Sequence, residues 1–230
     1  MQAAILAGGL ATRLGELTRN LPKSMVSIQG KPFLEYQLEL LKKGGMENIV
    51  LCLGHQGEQI ERHFGNGSKY GIDIKYSFED RLLGTAGALK KAEALLDDTF
   101  FTIYGDVYLF LDFSRIMCYF ESQYKLALMT VYKNYDQYDR SNTAITDNLV
   151  VEYSKNDRTR KMVHIDYGAS IFRKEALDIV PENQFCSLEE FLPSLIERRE
   201  LLAYEVSDRF YEIGSPQGLK ECTNYIEDGK

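Results

Sequence analysis

Hydrophobic positions come in short runs separated by longer amphipathic segments through the first half of the chain. This alternation is typical of parallel strands joined by crossover helices. The predicted strands cover residues 3–6, 48–53, 72–77 and 100–104, and the predicted helices cover 32–43, 56–64 and 86–96. The first of these helices has apolar residues on one face and ends at Gly44 and Gly45.

The pattern changes at residue 125, after which strand-like segments follow one another with little helix between them. These segments cover residues 126–132, 142–146, 150–153 and 164–172. They predict an added antiparallel portion that covers the open side of the sheet. The chain then returns to a helix over 187–199, a strand over 202–206 and a helix from Pro216.

No internal repeat, low-complexity segment or Pro/Ser-rich linker divides the chain, so we predict one domain over residues 1–230. Its predicted fold class is α/β. The expected architecture is a Rossmann-like three-layer α/β/α arrangement around a mixed, mostly parallel central sheet.

Composition narrows the range of partners. The 34 acidic residues outnumber the 27 basic ones and give a formal charge of -7. This argues against nucleic acid, whose phosphate backbone requires clustered positive charge. No apolar run approaches the roughly 20 residues needed to cross a bilayer. The cysteines include no C-x-x-C pair, so neither a zinc site nor a disulfide framework is predicted. We therefore expect a cytoplasmic protein that binds neither nucleic acid nor membrane.

A loop of small residues follows the first predicted strand. It reads L-A-G-G-L-A-T-R-L over residues 6–14, and Pro22 and Lys23 come shortly after it. Paired glycines let the backbone approach a ligand closely and direct N–H groups at one anion. A glycine pair alone also serves tight packing in many α/β proteins. Together with the cations Arg13 and Lys23, however, the loop favours a triphosphate ligand.

This string resembles the signature of the sugar-1-phosphate nucleotidyltransferase family, L-A-G-G-x-G-T-R-L followed by P-K. The matching residues are Leu6, Ala7, Gly8, Gly9, Thr12, Arg13, Leu14, Pro22 and Lys23. Ala11 stands where the family usually has glycine, which exchanges one small residue for another. The resemblance implies that the loop binds the triphosphate, that Arg13 stabilises the departing pyrophosphate and that Lys23 contacts the phosphate groups.

A second run of small residues, L-G-T-A-G-A-L over residues 83–89, opens the predicted third helix. The first N–H groups of a helix have no partner within the helix, so this site could bind a ligand or simply be capped by Thr85. In the family this element lies against the nucleoside. The resemblance therefore implies that Gly84, Thr85 and Gly87 bind the nucleotide.

Two acidic residues are candidate magnesium ligands. Asp106 follows the predicted strand over 100–104, at the sheet edge where doubly wound folds bind ligands. A solvated turn aspartate is the alternative. The family has G-D at this position with the aspartate on the catalytic magnesium, and Gly105 and Asp106 match it. The resemblance therefore implies a catalytic role for Asp106, together with Arg13 and Lys23.

The second ligand comes from the C-terminal part of the chain. The sequence F-Y-E-I-G-S-P over residues 210–216 resembles the family's W-x-D-I-G-T-P, whose aspartate is a magnesium ligand. The resemblance places Glu212 in that role, because glutamate is one methylene longer but still supplies the hard oxygen that magnesium prefers. Asp208 is the rival ligand, or else a surface turn residue.

Two further segments resemble the sugar side of the family site. Lys155 stands where the family often has an E-K-P run, although Ser154 and Asn156 replace the glutamate and the proline. Gly168 stands where an N-x-G element packs beside the sugar. The resemblance implies that Lys155 and Gly168 bind the sugar phosphate. An exposed lysine and a strand glycine also have ordinary structural explanations.

The resemblance spans nearly the whole chain and implies a nucleotide-binding half over about 1–124 and a sugar-binding half over about 125–230. It implies a magnesium-dependent enzyme that transfers a nucleoside monophosphate from an NTP to a sugar 1-phosphate and releases pyrophosphate. The short length resembles mannose- or heptose-1-phosphate guanylyltransferases and muramate-1-phosphate uridylyltransferases. This favours GTP and leaves UTP or CTP open.

Two other functions remain open from the sequence. The first is a cytidylyltransferase that acts on a non-sugar phosphate such as phosphocholine, because its phosphate-binding residues would look the same. A non-catalytic, nucleotide-sugar-binding regulatory protein is the second, because Ala11 and Glu212 depart from the family pattern. Arg13, Lys23 and Asp106 are all present, which favours an enzyme. The 15 tyrosines leave sugar-stacking and homodimer contacts open.

Overall fold

A single mixed sheet runs through the molecule, and helices lie on both of its faces. The computed structural model describes residues 1–9, 14–15 and 18–228. The strands are β1 Gln2–Leu6, β2 Ser27–Ile28, β3 Lys31–Pro32, β4 Asn48–Leu53, β5 Asp73–Phe78, β6 Thr99–Tyr104, β7 Val107–Tyr108, β8 Ala127–Lys133, β9 Thr143–Thr146, β10 Leu149–Tyr153, β11 His164–Arg173, β12 Leu201–Val206 and β13 Tyr211–Glu212. The α-helices are α1 Phe33–Lys43, α2 Gly57–Phe64, α3 Gly84–Ala92, α4 Phe113–Glu121, α5 Leu188–Glu197 and α6 Pro216–Glu227.

The strand order of the main sheet is β5-β4-β1-β6-β11-β8-β12-β10-β9. Neighbouring strands from β5 to β6 are parallel, as the alternation of short apolar runs and helices predicts. β11 pairs antiparallel with β6 and β8, and β12 pairs parallel with β8. The α/β class with a mixed central sheet is thus confirmed.

The predicted antiparallel portion is present, but its strands extend this same sheet and do not cover its open side. β11 is buried along almost its whole length. Its residue Ile171 packs into the hydrophobic cluster on one face and Phe172 into the cluster on the other. A strand that is apolar on both faces is stable in the interior of a sheet, where both faces are covered.

Alternating residues of the central strand β1 pack on opposite sides of the sheet. Ile5 lies in the cluster that α1, α2 and α4 cover, together with Leu38 and Phe113. Ala4 lies in the opposite cluster, which α3 and α5 cover, together with Leu89. These layers form the predicted three-layer arrangement. No helix in the described part of the chain has the length and apolar character needed to cross a membrane.

The C-terminal helix α6 packs beside the first half of the chain. Its residue Cys222 is buried in a third cluster with Ile213 and Phe33. Just before α6, strand β13 pairs antiparallel with β7, with Glu212 opposite Val107. This short two-stranded sheet brings the segment around residue 212 to the end of β6.

Candidate functional site

A cleft of about 270 Å³ opens at the carboxyl ends of β1, β4 and β6. Ligands of doubly wound proteins bind at this edge of the sheet. Most of the predicted site residues line this cleft, namely Leu6, Ala7, Gly8, Gly9, Lys23, Gly84, Thr85, Asp106 and Lys155. Thr12 and Arg13, the other predicted residues of the first loop, lie outside the described residues.

The two glycines of the first loop have different surroundings. A Cβ on Gly8 would lie 2.4 Å from Oε1 of Glu79 and 3.1 Å from the backbone nitrogen of Gly54. Gly8 therefore allows β1 and the segment after β4 to approach closely. A Cβ on Gly9 would have no described atom within 4 Å. Gly9 lines the cleft, and no residue in the described part of the chain occupies the space beside it.

Lys23 and Asp106 meet at the floor of the cleft. The Lys23 Nζ lies 2.8 Å from Asp106 Oδ2, and both side chains are largely shielded from solvent. Lys23 opens a short 3₁₀ turn directly after Pro22. Asp106 follows Gly105, whose N–H donates to the carbonyl of Leu6. A Cβ on Gly105 would lie 2.9 Å from that carbonyl oxygen, so the glycine allows β6 and β1 to end side by side.

Glu212 reaches the same point from the C-terminal half. The backbone N–H of Ile213 donates to the carbonyl of Asp106 at 2.9 Å. A Cβ on Gly214 would lie 2.7 Å from Glu212 Oε2, 3.2 Å from Asp106 Oδ2 and 3.3 Å from Lys23 Nζ. The two carboxylate oxygens are consequently no more than about 5.9 Å apart. Two acids and a lysine, distant in sequence, thus converge around Gly214, next to the end of β6.

The carboxylate of Glu212 also binds the start of α6. Its Oε2 accepts hydrogen bonds from the N–H groups of Gly214 and Ser215, and its Oε1 accepts from the Ser215 hydroxyl. The Ser215 Oγ in turn accepts from the N–H of Gly218 and caps the helix. A negative charge is favourable at this end of a helix. Glu212 is therefore both a neighbour of Asp106 and an anchor of α6, and it lines a separate pocket with Arg209 and Ser215 instead of the cleft itself.

Among the described residues, no hydrogen bond or ion pair joins the rival acid, Asp208, to Lys23, Asp106 or Glu212. The charge of Asp208 acts on the hydroxyl of Tyr167, where burial first and Asp208 second raise the pKa of the tyrosine. Tyr167 is fully buried among the apolar residues of one sheet face. This position favours Glu212 over Asp208 as the partner of Asp106.

The second glycine loop binds the segment before α5. The N–H groups of Ala86 and Gly87 both donate to the carbonyl of Cys186, so these two donors are already satisfied. A Cβ on Gly87 would lie 3.0 Å from the carbonyl oxygen of Gln184. Gly87 is buried and does not line the cleft. Its lack of a side chain instead provides room for the backbone of Gln184.

Gly84 and Thr85 do line the cleft, and each also has a packing role. Gly84 has a φ of +74° and lies close to the carbonyl of Cys186, a combination that only glycine adopts readily. The Thr85 hydroxyl oxygen accepts a hydrogen bond from the N–H of Leu188 at the start of α5. The threonine thus satisfies the first N–H of α5, whose N-cap is Ser187, whereas the sequence suggested a cap for its own helix.

Of the two residues predicted to bind the sugar phosphate, Lys155 lines the cleft and Gly168 does not. The Lys155 Nζ lies 5.6 Å from the centre of the Tyr104 ring, at the edge of the cleft. Gly168 lies within a bulge of β11, where its φ is +100° and a Cβ would contact Val107. Gly168 is buried and does not line the cleft. It permits the strand to bend close to the site.

The sequence reasoning missed two acids beside the cleft. Glu79 directly follows β5 and lines the cleft, and burial raises its pKa despite a hydrogen bond from the N–H of Leu83. Asp166 lies in the β11 bulge and accepts a hydrogen bond from the Tyr104 hydroxyl. The position of Glu79 after a parallel strand was the available signal.

The residues present fit a magnesium ion. Asp106 and Glu212 supply hard carboxylate oxygens at one place, and magnesium is typically bound by one or two carboxylates together with substrate phosphates and water. Within residues 1–9, 14–15 and 18–228 there is no group of three or more His, Cys, Asp or Glu residues that could hold a metal alone.

The fold and the cleft define an α/β enzyme that handles phosphate groups. A glycine loop, a lysine and two acids lie at the ligand-binding edge of the sheet, as described above. The model of the family described as "Nucleotidyl transferase" matches residues 2–228. The chain belongs to this family and is a nucleotidyltransferase.

Individual relatives match over nearly the whole chain. The D-glycero-alpha-D-manno-heptose 1-phosphate guanylyltransferase of Campylobacter jejuni is 33% identical, with 94% of this chain and 96% of that protein covered. The enzyme of the same name from Aneurinibacillus thermoaerophilus is also 33% identical, over 98% of this chain and 100% of its own length. The crystal structure of HddC from Yersinia pseudotuberculosis, complexed with GMP-PN, superposes with a TM-score of 0.82 at 27% identity, covering 98% of this chain and 99% of that one.

Proposed function

We propose that this enzyme transfers a nucleoside monophosphate from an NTP to a sugar 1-phosphate, with release of pyrophosphate and with the help of magnesium. The observation that carries the proposal is the convergence of Lys23, Asp106 and Glu212 around Gly214, with Lys23 and Asp106 lining the same cleft as Gly9. The glycine loop supplies backbone donors and space for the triphosphate. The lysine and the acid pair supply the charges that the reaction requires.

The reaction does not need a protein nucleophile. The phosphate oxygen of a sugar 1-phosphate is ionised at neutral pH and can attack the α-phosphorus in line, so that pyrophosphate leaves. The cleft also contains a thiol, Cys52, but burial and the charge of Glu79 raise its pKa to about 12. This thiol is protonated near neutral pH and does not act as a nucleophile.

The protein must bring two anions together. Lys23 would donate to the phosphate groups around the reacting phosphorus, and Arg13, which lies outside the described residues, would bind the leaving pyrophosphate. Asp106 and Glu212 would hold magnesium, which when bound neutralises charge on phosphate oxygens. Fixed charges and correct orientation of both substrates account for most of the catalysis expected at such a site.

The nucleoside would lie between the first loop and the start of α3. Leu6, Ala7, Gly8 and Gly9 line one side of the cleft, while Gly84 and Thr85 line the other. Because the N–H groups of Ala86 and Gly87 are already paired with Cys186, the helix start would contribute shape more than hydrogen-bond donors. The nucleotide would therefore be recognised mainly through the first loop and side chains of the cleft wall.

Glu79 favours a guanine base. Guanine presents adjacent N1–H and N2–H donors on its Watson–Crick edge, and a carboxylate can accept from both. Glu79 lines the cleft, with Oε1 close to Gly8. The guanylyltransferase names of two relatives agree with this preference. We therefore propose GTP as the preferred donor and a mannose- or heptose-type sugar 1-phosphate as the acceptor.

A substrate matrix tests the function. The purified protein with magnesium would be assayed for pyrophosphate release with GTP, UTP, CTP and ATP against mannose, heptose, glucose and N-acetylmuramate 1-phosphates and phosphocholine. We expect turnover with GTP and a sugar 1-phosphate. Turnover with CTP and phosphocholine alone would show a cytidylyltransferase. Binding of nucleotide sugar without pyrophosphate release in any combination would show a regulatory protein.

A further inference from the structure

A half-buried carboxylate lies beside the acceptor end of the cleft, next to Tyr104. Asp166 accepts hydrogen bonds from the Tyr104 hydroxyl at 3.2 Å and from the backbone N–H of Gly168 at 3.0 Å. Its own N–H donates to Oδ1 of Asn142. Two hydrogen-bond donors therefore hold this side chain in place, and Asn142 together with the bulge of β11 holds its backbone.

The Asp166 carboxylate lacks a direct ion pair in the described structure. No Lys, Arg or His nitrogen in the described residues lies within salt-bridge distance of its oxygens. The cation whose charge acts on it is Lys155. Even partial burial of a carboxylate without a close counter-ion costs free energy, and the interaction with Lys155 offsets part of this cost.

Tyr104 connects the two charges. Its hydroxyl donates to Asp166, while its ring lies 5.6 Å from the Lys155 ammonium. The lysine backbone is fixed separately, because the N–H of Lys155 donates to Oε1 of Glu189 at 2.9 Å. A lysine side chain has a flexible four-carbon stem. The ring and the charge behind it therefore favour conformations in which the ammonium stays over the cleft edge.

We propose that Asp166 is a positioning residue, which acts through Tyr104 to keep the Lys155 ammonium at the acceptor end of the cleft. This inference rests on the proposed function, in which Lys155 binds the acceptor phosphate. Asp166 attracts the ammonium while the acceptor is absent. When the acceptor arrives, its phosphate finds the cation already near its binding position, and less side-chain entropy is lost on binding.

The test is a double-mutant cycle on the acceptor KM. Asp166→Asn removes the charge and keeps an oxygen that can accept from Tyr104. We expect it to raise the acceptor KM about fivefold, an effect typical of coupled neighbours, with the KM for GTP unchanged. In a Lys155→Met background the same substitution should change the acceptor KM less than about twofold. Tyr104→Phe should raise the acceptor KM in the same Lys155-dependent way.

A matched control is Glu189→Gln, because Glu189 binds the Lys155 backbone and not its ammonium. We expect little change in the acceptor KM for this variant. An equal effect of Asp166→Asn with and without Lys155 would overturn the inference, as would a loss of kcat with both KM values unchanged. If the wild-type protein releases no pyrophosphate with any acceptor, the proposed function fails instead. Tyr104→Phe tests the inference independently if Asp166→Asn does not fold.

Discussion

The Lys23 ammonium lies 2.8 Å from Oδ2 of Asp106, so the free site contains a neutral pair at its floor. Both members have a second role in the proposed reaction, because Lys23 binds phosphate and Asp106 binds magnesium. Entry of the nucleotide and its ion would therefore separate the pair. The site exchanges one internal ion pair for contacts with the phosphate and the metal.

Replacing Lys23 by methionine should have opposite effects on catalysis and on metal binding. Turnover should fall at least about 100-fold, because a preorganised positive charge is lost. Magnesium affinity of the nucleotide-free protein should rise, since Asp106 loses its competing cation. Pyrophosphate release and calorimetric magnesium titration measure these effects. Lys90→Met removes a remote ion pair with Glu93 and should change neither, whereas weaker magnesium binding in the Lys23 variant would contradict the prediction.

Glu212→Gln and Asp208→Asn distinguish the two candidate ligands. Glu212→Gln should reduce turnover at least about 100-fold and raise the magnesium concentration needed for half-maximal activity, because a charged metal ligand is lost. It should also lower the melting temperature by a few degrees, since the charge at the start of α6 is removed. Asp208→Asn should retain nearly normal kinetics. The reverse pattern would assign the metal to Asp208.

The two loop glycines should respond differently to alanine. Gly8→Ala should destabilise the protein by about 1–3 kcal/mol, because its Cβ would overlap Glu79 and crowd Gly54. Gly9→Ala should leave the melting temperature nearly unchanged but raise the KM for GTP, because the methyl group would project into open space of the cleft. Thermal unfolding and nucleotide kinetics of both variants provide the measurement. Equal loss of stability in both would show that the loop packs differently.

Asp166→Asn should change the pH dependence of stability. Burial raises the pKa of Asp166 from its ordinary value of 3.8, against the hydrogen bond from Gly168 and the charge of Lys155. The folded state therefore binds more protons than the unfolded state between the ordinary and the raised pKa. The wild-type protein loses this contribution as pH rises through that window. The melting temperature of the variant relative to wild type should rise from pH 4 to neutral pH, and a constant difference would contradict this.

Glu79→Gln should weaken the preference for guanine. A carboxylate accepts from both donors of the guanine edge, whereas an amide has only one accepting oxygen. We expect kcat/KM for GTP to fall about tenfold, in line with the 1–3 kcal/mol that a bidentate base contact contributes elsewhere, and kcat/KM for UTP to change little. Competition assays with both nucleotides measure the ratio. An equal loss for the two would assign Glu79 a purely structural role.

The sequence predicted those site residues that lie in the chain just after a strand. Gly8, Lys23 and Asp106 belong to local motifs that come directly after apolar strands or soon after them, and parallel strands bring such positions to one edge. Glu212 required the resemblance, because nothing in its own surroundings predicts the pairing of β13 with β7. Its second role, binding the start of α6, depends on the neighbouring glycines and could be seen only in the structure.

Other features depended on tertiary contacts that no local pattern reveals. Gly87 and Gly168 provide room for the backbone of Gln184 and for Val107, and neither partner can be read from the adjacent residues. Helix α4 was missed as well, although Asp112 caps it by accepting from the N–H of Arg115 and Phe113 lies in the core. Its capping aspartate and the apolar spacing after it were the available signals.

We expect the pairing of β7 with β13 to form late in folding. Asp106 and Glu212 are separated by about 100 residues, and closing so long a loop costs conformational entropy before the contacts between its ends form. In a refolding experiment, regained turnover should lag behind regained helical circular dichroism. Recovery of activity would thus report that β13, which contains Glu212, has paired with β7, next to Asp106.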